Sequence, residues 1–339
     1  MRISLTQFTT LASALIIGTA HADNYSVHYP APALDRWNYP FNPTPGTRIT
    51  ASTFGNDPLG AEFDNRDGQF VVGFNTNGNI PVGLGAGNYN VTACTIEITY
   101  ANDFVAEYDP SVDPFTVFLP ESDPAYTPDT DLGAPIEIYG TGFRGGFTLA
   151  NWAETSPFGN GSPLSPSIRN AFALAKNGAG AWVDASNCVR ERWTPSPFAV
   201  GVIDGLKRGQ LVPVGTVMRF ELDVARADVQ EFLGGALDAG RLRLTISSLT
   251  KVVQQGGSFP QFYCRENPLV VATGAGGATL TLEVTTNTCV PADLNCDGVV
   301  DAADLTIMLS SWGGTGVADI NGDGIVDAAD ISALLSAWS

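Results

Sequence analysis

The sequence predicts a mainly β chain: an antiparallel sandwich or jelly roll, followed at the C-terminus by a small α module. Three observations predict it. Short runs rich in Val, Ile, Thr, Phe and Tyr recur along residues 23–288, and several alternate with period two, as pleated strands with one buried face do. Gly (37) and Pro (22) are plentiful and punctuate those runs as turns. Beyond residue 288 the pattern changes to two copies of an Asp-rich loop, each followed by apolar residues at helical spacing. A chain of 339 residues that is 44% hydrophobic can bury a sizeable core and is too apolar to be disordered.

The N-terminus reads as a secretory signal over residues 1–22. Arg2 supplies the positive charge, residues 11–17 the short apolar core, and Ala20-His21-Ala22 the cleavage site, so the mature chain is expected to start near Asp23. That run is too short to span a bilayer and no longer one follows, so no membrane insertion is expected. Export makes the chain a secreted, extracellular or cell-surface protein and permits disulfides among Cys94, Cys188, Cys264, Cys289 and Cys296. The odd count leaves at least one unpaired. The expected pairs are Cys289 with Cys296 and Cys188 with Cys264, and Cys94 reads equally well as a small buried apolar side chain.

Within the body, residues 23–288, strands are expected over 69–74, 89–100, 115–119, 136–139, 198–203, 216–224, 241–246 and 279–284. Helical signals are few, at 167–176 and 228–237. Many strands and few helices favour an antiparallel sandwich or jelly roll over alternating strands and helices. Three short stretches, Phe220-Glu221-Leu222-Asp223-Val224, Gly240-Arg241-Leu242-Arg243-Leu244 and Cys264-Arg265-Glu266-Asn267-Pro268, make this part similar to the end of jelly-roll domains on secreted bacterial proteins. Residues 103–143 carry Asp103, Glu107, Asp109, Asp113, Glu121, Asp123, Asp129, Asp131 and Glu137 among many prolines. A further cation site and a solvated acidic loop both fit. The solvated loop is the expectation, because the spacing matches no metal-binding loop.

The C-terminal module, residues 289–339, holds the most specific pattern. Loop one (293–304) places Asp293, Asn295, Asp297, Asp301 and Asp304 at positions 1, 3, 5, 9 and 12. Loop two (319–330) repeats this with Asp319, Asn321, Asp323, Asp327 and Asp330. Calcium is a hard cation that takes six to eight oxygens, and this spacing wraps a chain around one ion. Val299 and Ile325, at position 7, would add backbone carbonyls, while Gly298 and Gly324 permit the sharp turn at position 6. Val300 and Val326, at position 8, are expected to pair between the loops. Two calcium ions are therefore expected. Helices should follow at 303–312 and 329–338, with Leu305, Met308, Leu309 and Trp312, then Ile331, Leu334, Leu335 and Trp338, along one face of each.

A loop followed by a single helix, repeated twice, with Asp rather than Glu at position 12, resembles the type I dockerins. The resemblance covers about the last fifty residues. It implies a tail that docks on a cohesin-like or other surface protein. The loop ends here carry Ala302-Ala303 and Ala328-Ala329, and the tail has no Lys or Arg, which points to a surface partner other than a cellulosomal cohesin.

The formal charge of −18 repels phosphate backbones, so nucleic acid is not expected as a partner. With His21 inside the signal, His28 is the one histidine left, which argues against a Ser-His-Asp arrangement and rules out a His-rich zinc site. No catalytic residue is assigned, and the chain reads less as an enzyme than as an anchored body. The alternative is a polysaccharide-degrading enzyme or a carbohydrate-binding module carrying the same tail. Paired carboxylates would serve the former. Trp37, Trp152, Trp182 and Trp193 would stack on sugars in either, although core packing is the expected fate of most of them.

Overall fold

The computed structural model describes residues 21–251, 259–288 and 290–339. All of the expected signal except His21 and Ala22 lies outside these residues, as does Cys289. The elements in chain order are β1 (His21–Tyr29), β2 (Leu34–Asn38), β3 (Thr50–Ser52), β4 (Phe54–Gly55), β5 (Arg66–Asn75), β6 (Tyr89–Thr99), β7 (Ile136–Phe143), β8 (Ala171–Lys176), β9 (Trp182–Asp184), β10 (Ala199–Val200), β11 (Val217–Glu221), α1 (Ala227–Asp238), β12 (Arg241–Ser248), β13 (Gln261–Tyr263), α2 (Pro268–Thr273), β14 (Thr279–Thr288), α3 (Ala302–Ser310) and α4 (Ala328–Ser336). They fall into two compact units, Asn24–Thr286 and a second that groups the described residues up to Asp23 with Asn287–Ser339.

The body is built on two large antiparallel sheets, with a two-stranded one formed by β3 and β13. One has four strands in the order β1-β14-β6-β11; the other has eight, with β2-β5-β12-β7-β8-β9 as its main path. One apolar core takes Ile96 and Ile98 from β6, Leu280 and Leu282 from β14, Phe70, Val72 and Phe74 from β5, and Leu242, Leu244 and Ile246 from β12. Both sheets thus turn their apolar alternation toward the same interior, which is the sandwich the period-two runs predict. Helix α1 adds Val229, Leu233 and Leu237 to this core.

The second face of the eight-stranded sheet is also buried. Central β12 alternates Leu242, Leu244 and Ile246 with Arg243, Thr245 and Ser247, and the polar set is as shielded from solvent as the apolar one. On this face Arg66 pairs with Glu137 at 2.5 Å and lies 5.1 Å over the Tyr139 ring. Arg169 pairs with Asp64 at 2.5 Å and donates to the carbonyls of Arg66 and Asp67. Buried charges persist only when paired and hydrogen-bonded, and these are.

Several expectations are corrected. Residues 171–176 form strand β8, not a helix, because Ala173 and Ala175 sit buried between β7 and β9. Residues Phe115–Phe118 form a 3-10 turn rather than a strand. Cys188 and Cys264 are both free thiols, buried in different clusters, and burial pushes each thiol pKa up. Cys94 is likewise buried and free. Cys296 is disulfide-bonded.

Candidate metal centre in the C-terminal tail

The tail builds two loops whose internal hydrogen bonds match at most positions, with one extra in loop two, from the Gly322 N–H to Asp319 (2.9 Å). In loop one, Asp293 accepts from the backbone N–H groups of Asp297 (3.2 Å) and Gly298 (2.9 Å). In loop two, Asp319 accepts from Asp323 (3.1 Å) and Gly324 (2.8 Å). The Asn295 and Asn321 side-chain oxygens accept from Asp297 and Asp323, each at 2.9 Å. Asp297 and Asp323 accept in turn from the N–H groups of Val299 (2.9 Å) and Ile325 (3.1 Å). Gly298 and Gly324 adopt φ of 90° and 96°, the left-handed region that glycine enters freely. At position 4, Cys296 (φ 62°) and Gly322 (φ 73°) also turn left-handed.

The last residues of each loop also start the helix. Asp301 and Asp327 are N-caps, accepting from Ala303 and Ala329. Asp304 and Asp330 reach back to the N–H groups of Asp301 (2.8 Å) and Asp327 (2.9 Å), completing a capping box with Asp in the usual Glu place. Their other oxygens accept from Asn295 and Asn321, each at 3.0 Å, which ties the end of each loop to its beginning. Asp304 and Asp330 are fully buried and Asp293 nearly so. The backbone N–H groups around Asp330 hold its carboxyl below the usual carboxylate range.

This set fits a hard divalent cation. All donors are oxygens, and the buried carboxylates have no Lys or Arg in the tail to balance them. A carboxylate that accepts two backbone N–H groups keeps lone pairs for a metal. Asp293, Asn295, Asp297, Asp301 and Asp304 share one loop and Asp319, Asn321, Asp323, Asp327 and Asp330 the other, while the described acids that close in threes to within 4.8 Å lie in the body rather than in these loops. Val299 and Ile325 hold position 7, with side chains about half exposed.

A small shared core joins the repeats. Ala292, Val300 and Met308 pack with their counterparts Ala318, Val326 and Leu334. The two position-8 valines share this cluster, but their backbones bond elsewhere. Val326 exchanges bonds with Gly313 and Gly314, and Val300 bonds Ser339 at the equivalent place after α4. Leu309, Trp312, Leu335 and Trp338, expected on packed faces, are 52%, 51%, 52% and 44% exposed.

Each of the four tryptophans of the body has packing partners. Trp37 stacks on Tyr39 at 4.6 Å and has Arg48 at 4.9 Å from its ring. Trp152 is buried, Trp182 packs among Phe198, Phe232 and Lys176, and Trp193 belongs to two buried clusters. His28 is exposed on β1 and within 3.1 Å of the Thr281 hydroxyl.

Residues 291–337 match the family model of the type I dockerin domain. The chain therefore ends in a dockerin tail. No curated protein matches the chain.

Proposed function

We propose that this chain is an exported anchoring protein. Its dockerin tail takes up two calcium ions and in that form attaches the β body to a cohesin-like or other surface protein. The ions would be held by Asp293, Asn295, Asp297, the Val299 carbonyl, Asp301 and Asp304, and by Asp319, Asn321, Asp323, the Ile325 carbonyl, Asp327 and Asp330. The observation that carries the reading is the doubled loop, in which the same carboxylates form the cradle and cap the helix. Calcium, when bound, supplies the positive charge this acidic tail lacks. The chain's own residues do the positioning: backbone N–H groups orient the carboxylates, and the capping boxes fix where α3 and α4 begin.

The partner surface follows from what the tail leaves uncovered. Leu309 with Trp312, and Leu335 with Trp338, form two equivalent apolar pairs exposed to solvent. Apolar pairs of this kind, with Trp as anchor, suit a protein partner. A disulfide at Cys296 supports an oxidising, extracellular setting. Among the described residues no helix is long and apolar enough to cross a membrane.

The test is retention of the full chain on an immobilised type I cohesin and on the producer's envelope fraction. We expect capture on one of these surfaces in calcium and release by a chelator. Trp312→Ala with Trp338→Ala should weaken capture roughly 30-fold or more while leaving calcium uptake intact. Capture that is indifferent to the chelator would overturn the reading.

A further inference from the structure

The connection between β6 and β7 runs out and back across the body, and it brings three acids of the 103–143 stretch together. One carboxylate oxygen each from Asp109, Asp113 and Asp131 lies within 4.8 Å of the other two. Asp109 and Asp113 stand on the outgoing pass and Asp131 on the return. The passes touch closely: Gly133 has φ 105°, and a Cβ built there would lie 3.0 Å from the Glu107 carbonyl oxygen and 3.1 Å from Asp109 Cβ.

Asp109 is buried, and Asp113 and Asp131 are partly so. The Asp109 side chain is 0% exposed. Its Oδ1 accepts from the Ser111 N–H (2.9 Å) and hydroxyl (2.5 Å), but its Oδ2 is buried with no donor. Asp113 Oδ2 and Asp131 Oδ1 are buried without a donor as well. The one cation paired with the cluster among the described residues is Arg208, about half exposed, at 2.5 Å from Asp131 Oδ2 and 3.6 Å from Asp109 Oδ1. It leaves all three orphan oxygens unanswered. Buried carboxylate oxygens without a partner are strongly unfavourable, and crowding them together adds repulsion.

A second acidic group, Asp35 with Glu154 and Glu266, shows the contrast. There Arg265 donates to Glu154 (2.5 Å) and Glu266 (2.7 Å) through its guanidinium, and to Asp35 (2.7 Å) through its backbone. All three acids of that group bond to one arginine residue, although Asp35 Oδ1 and Glu266 Oε2 are also buried without a donor; in the Asp109 group no arginine reaches Asp113 and each of the three acids has an orphan oxygen.

We propose that Asp109, Asp113 and Asp131 hold a calcium ion that staples the two passes of this connection together. An all-oxygen, three-carboxylate donor set selects a hard cation, and calcium's variable coordination suits an irregular loop site. The same connection supplies Glu107, Val117, Phe118 and Asp129 to a cleft of about 490 Å³, so the ion would also fix that wall. This site is independent of the tail.

The test measures calcium bound per chain by equilibrium dialysis. The full-length parent carries Asp293→Ala, Asp297→Ala, Asp319→Ala and Asp323→Ala, which disable both tail loops. It should retain one ion. Adding Asp113→Asn and Asp131→Asn, both at partly exposed positions, should abolish that ion while near-ultraviolet circular dichroism confirms a folded body. In parallel, calcium should raise the thermal midpoint of the body in the parent and leave it unmoved in the variant. A parent that retains no ion at saturating calcium, or a variant that retains as much as the parent, would overturn the proposal.

Discussion

At the scale of single residues, three side chains make separable predictions. Gly324 sits at φ 96° in the second loop, where a Cβ would meet no neighbour, so only backbone conformation is at stake. Gly324→Ala should destabilise the calcium-loaded tail by about 1–2 kcal/mol, read from its chelator-dependent melting. Arg66 and Glu137 are both buried, and burial pushes the Glu137 carboxyl up while Arg66 draws it back. Arg66→Met strands that acid and should lower body stability by about 3–5 kcal/mol in denaturant unfolding; Arg66→Met with Glu137→Leu should recover most of the loss. Asp35 is pushed up to about 8 by burial, with Glu266 and Glu154 adding to the rise and the Arg265 N–H opposing it. Between its ordinary 3.8 and about 8 the folded chain holds a proton there that the unfolded chain has released. Stability from this group is therefore complete at acid pH and is lost as pH rises through that window, by roughly 1.4 kcal/mol per pH unit for one proton. Asp35→Asn should flatten the slope over that window; an unchanged slope would place the proton elsewhere.

At the scale of elements, what the sequence discloses depends on how local the interaction is. The dockerin tail was legible, because the hydrogen bonds that shape each loop lie within that loop and its first helical turn. Strands β5, β6, β12 and β14 were legible from their alternation. The polar half of β12 was not, since Arg243, Thr245 and Ser247 alternate like a solvated face yet are buried, with Thr245 bonded to Thr141 and Ser247 to Arg66. Strand β8 was misread because Ala-Phe-Ala-Leu-Ala-Lys is built of helix-formers, and pairing with β7 and β9 overrides that propensity. The acids of the Asp109 cluster were legible only as an acidic stretch in which a cation site or a solvated loop both fit, for a related reason: they come from separate passes of one long connection, and no short motif records their meeting. Asp301 and Asp304 cap α3, and Asp327 and Asp330 cap α4; on the proposed calcium binding these same residues are ligands, so both helices should be as calcium-dependent as the loops. Asp304→Ala should reduce the calcium-induced helical signal of the first repeat, seen as about half the far-ultraviolet change.

At the scale of the whole molecule, charge links these parts. The tail carries eight Asp with no Lys or Arg, within a chain of formal charge −18. Metal-free, its carboxylates repel across a core of a few small side chains. Calcium binding should therefore supply much of the tail's folding energy, leaving the larger body core to fold without it. The most direct measurement is a calorimetric calcium titration of the full chain carrying Asp113→Asn and Asp131→Asn, which isolates the tail. The account predicts uptake of two ions per chain, accompanied by a gain in helical circular dichroism. Absence of binding heat, with helicity the same in calcium and chelator, would contradict it.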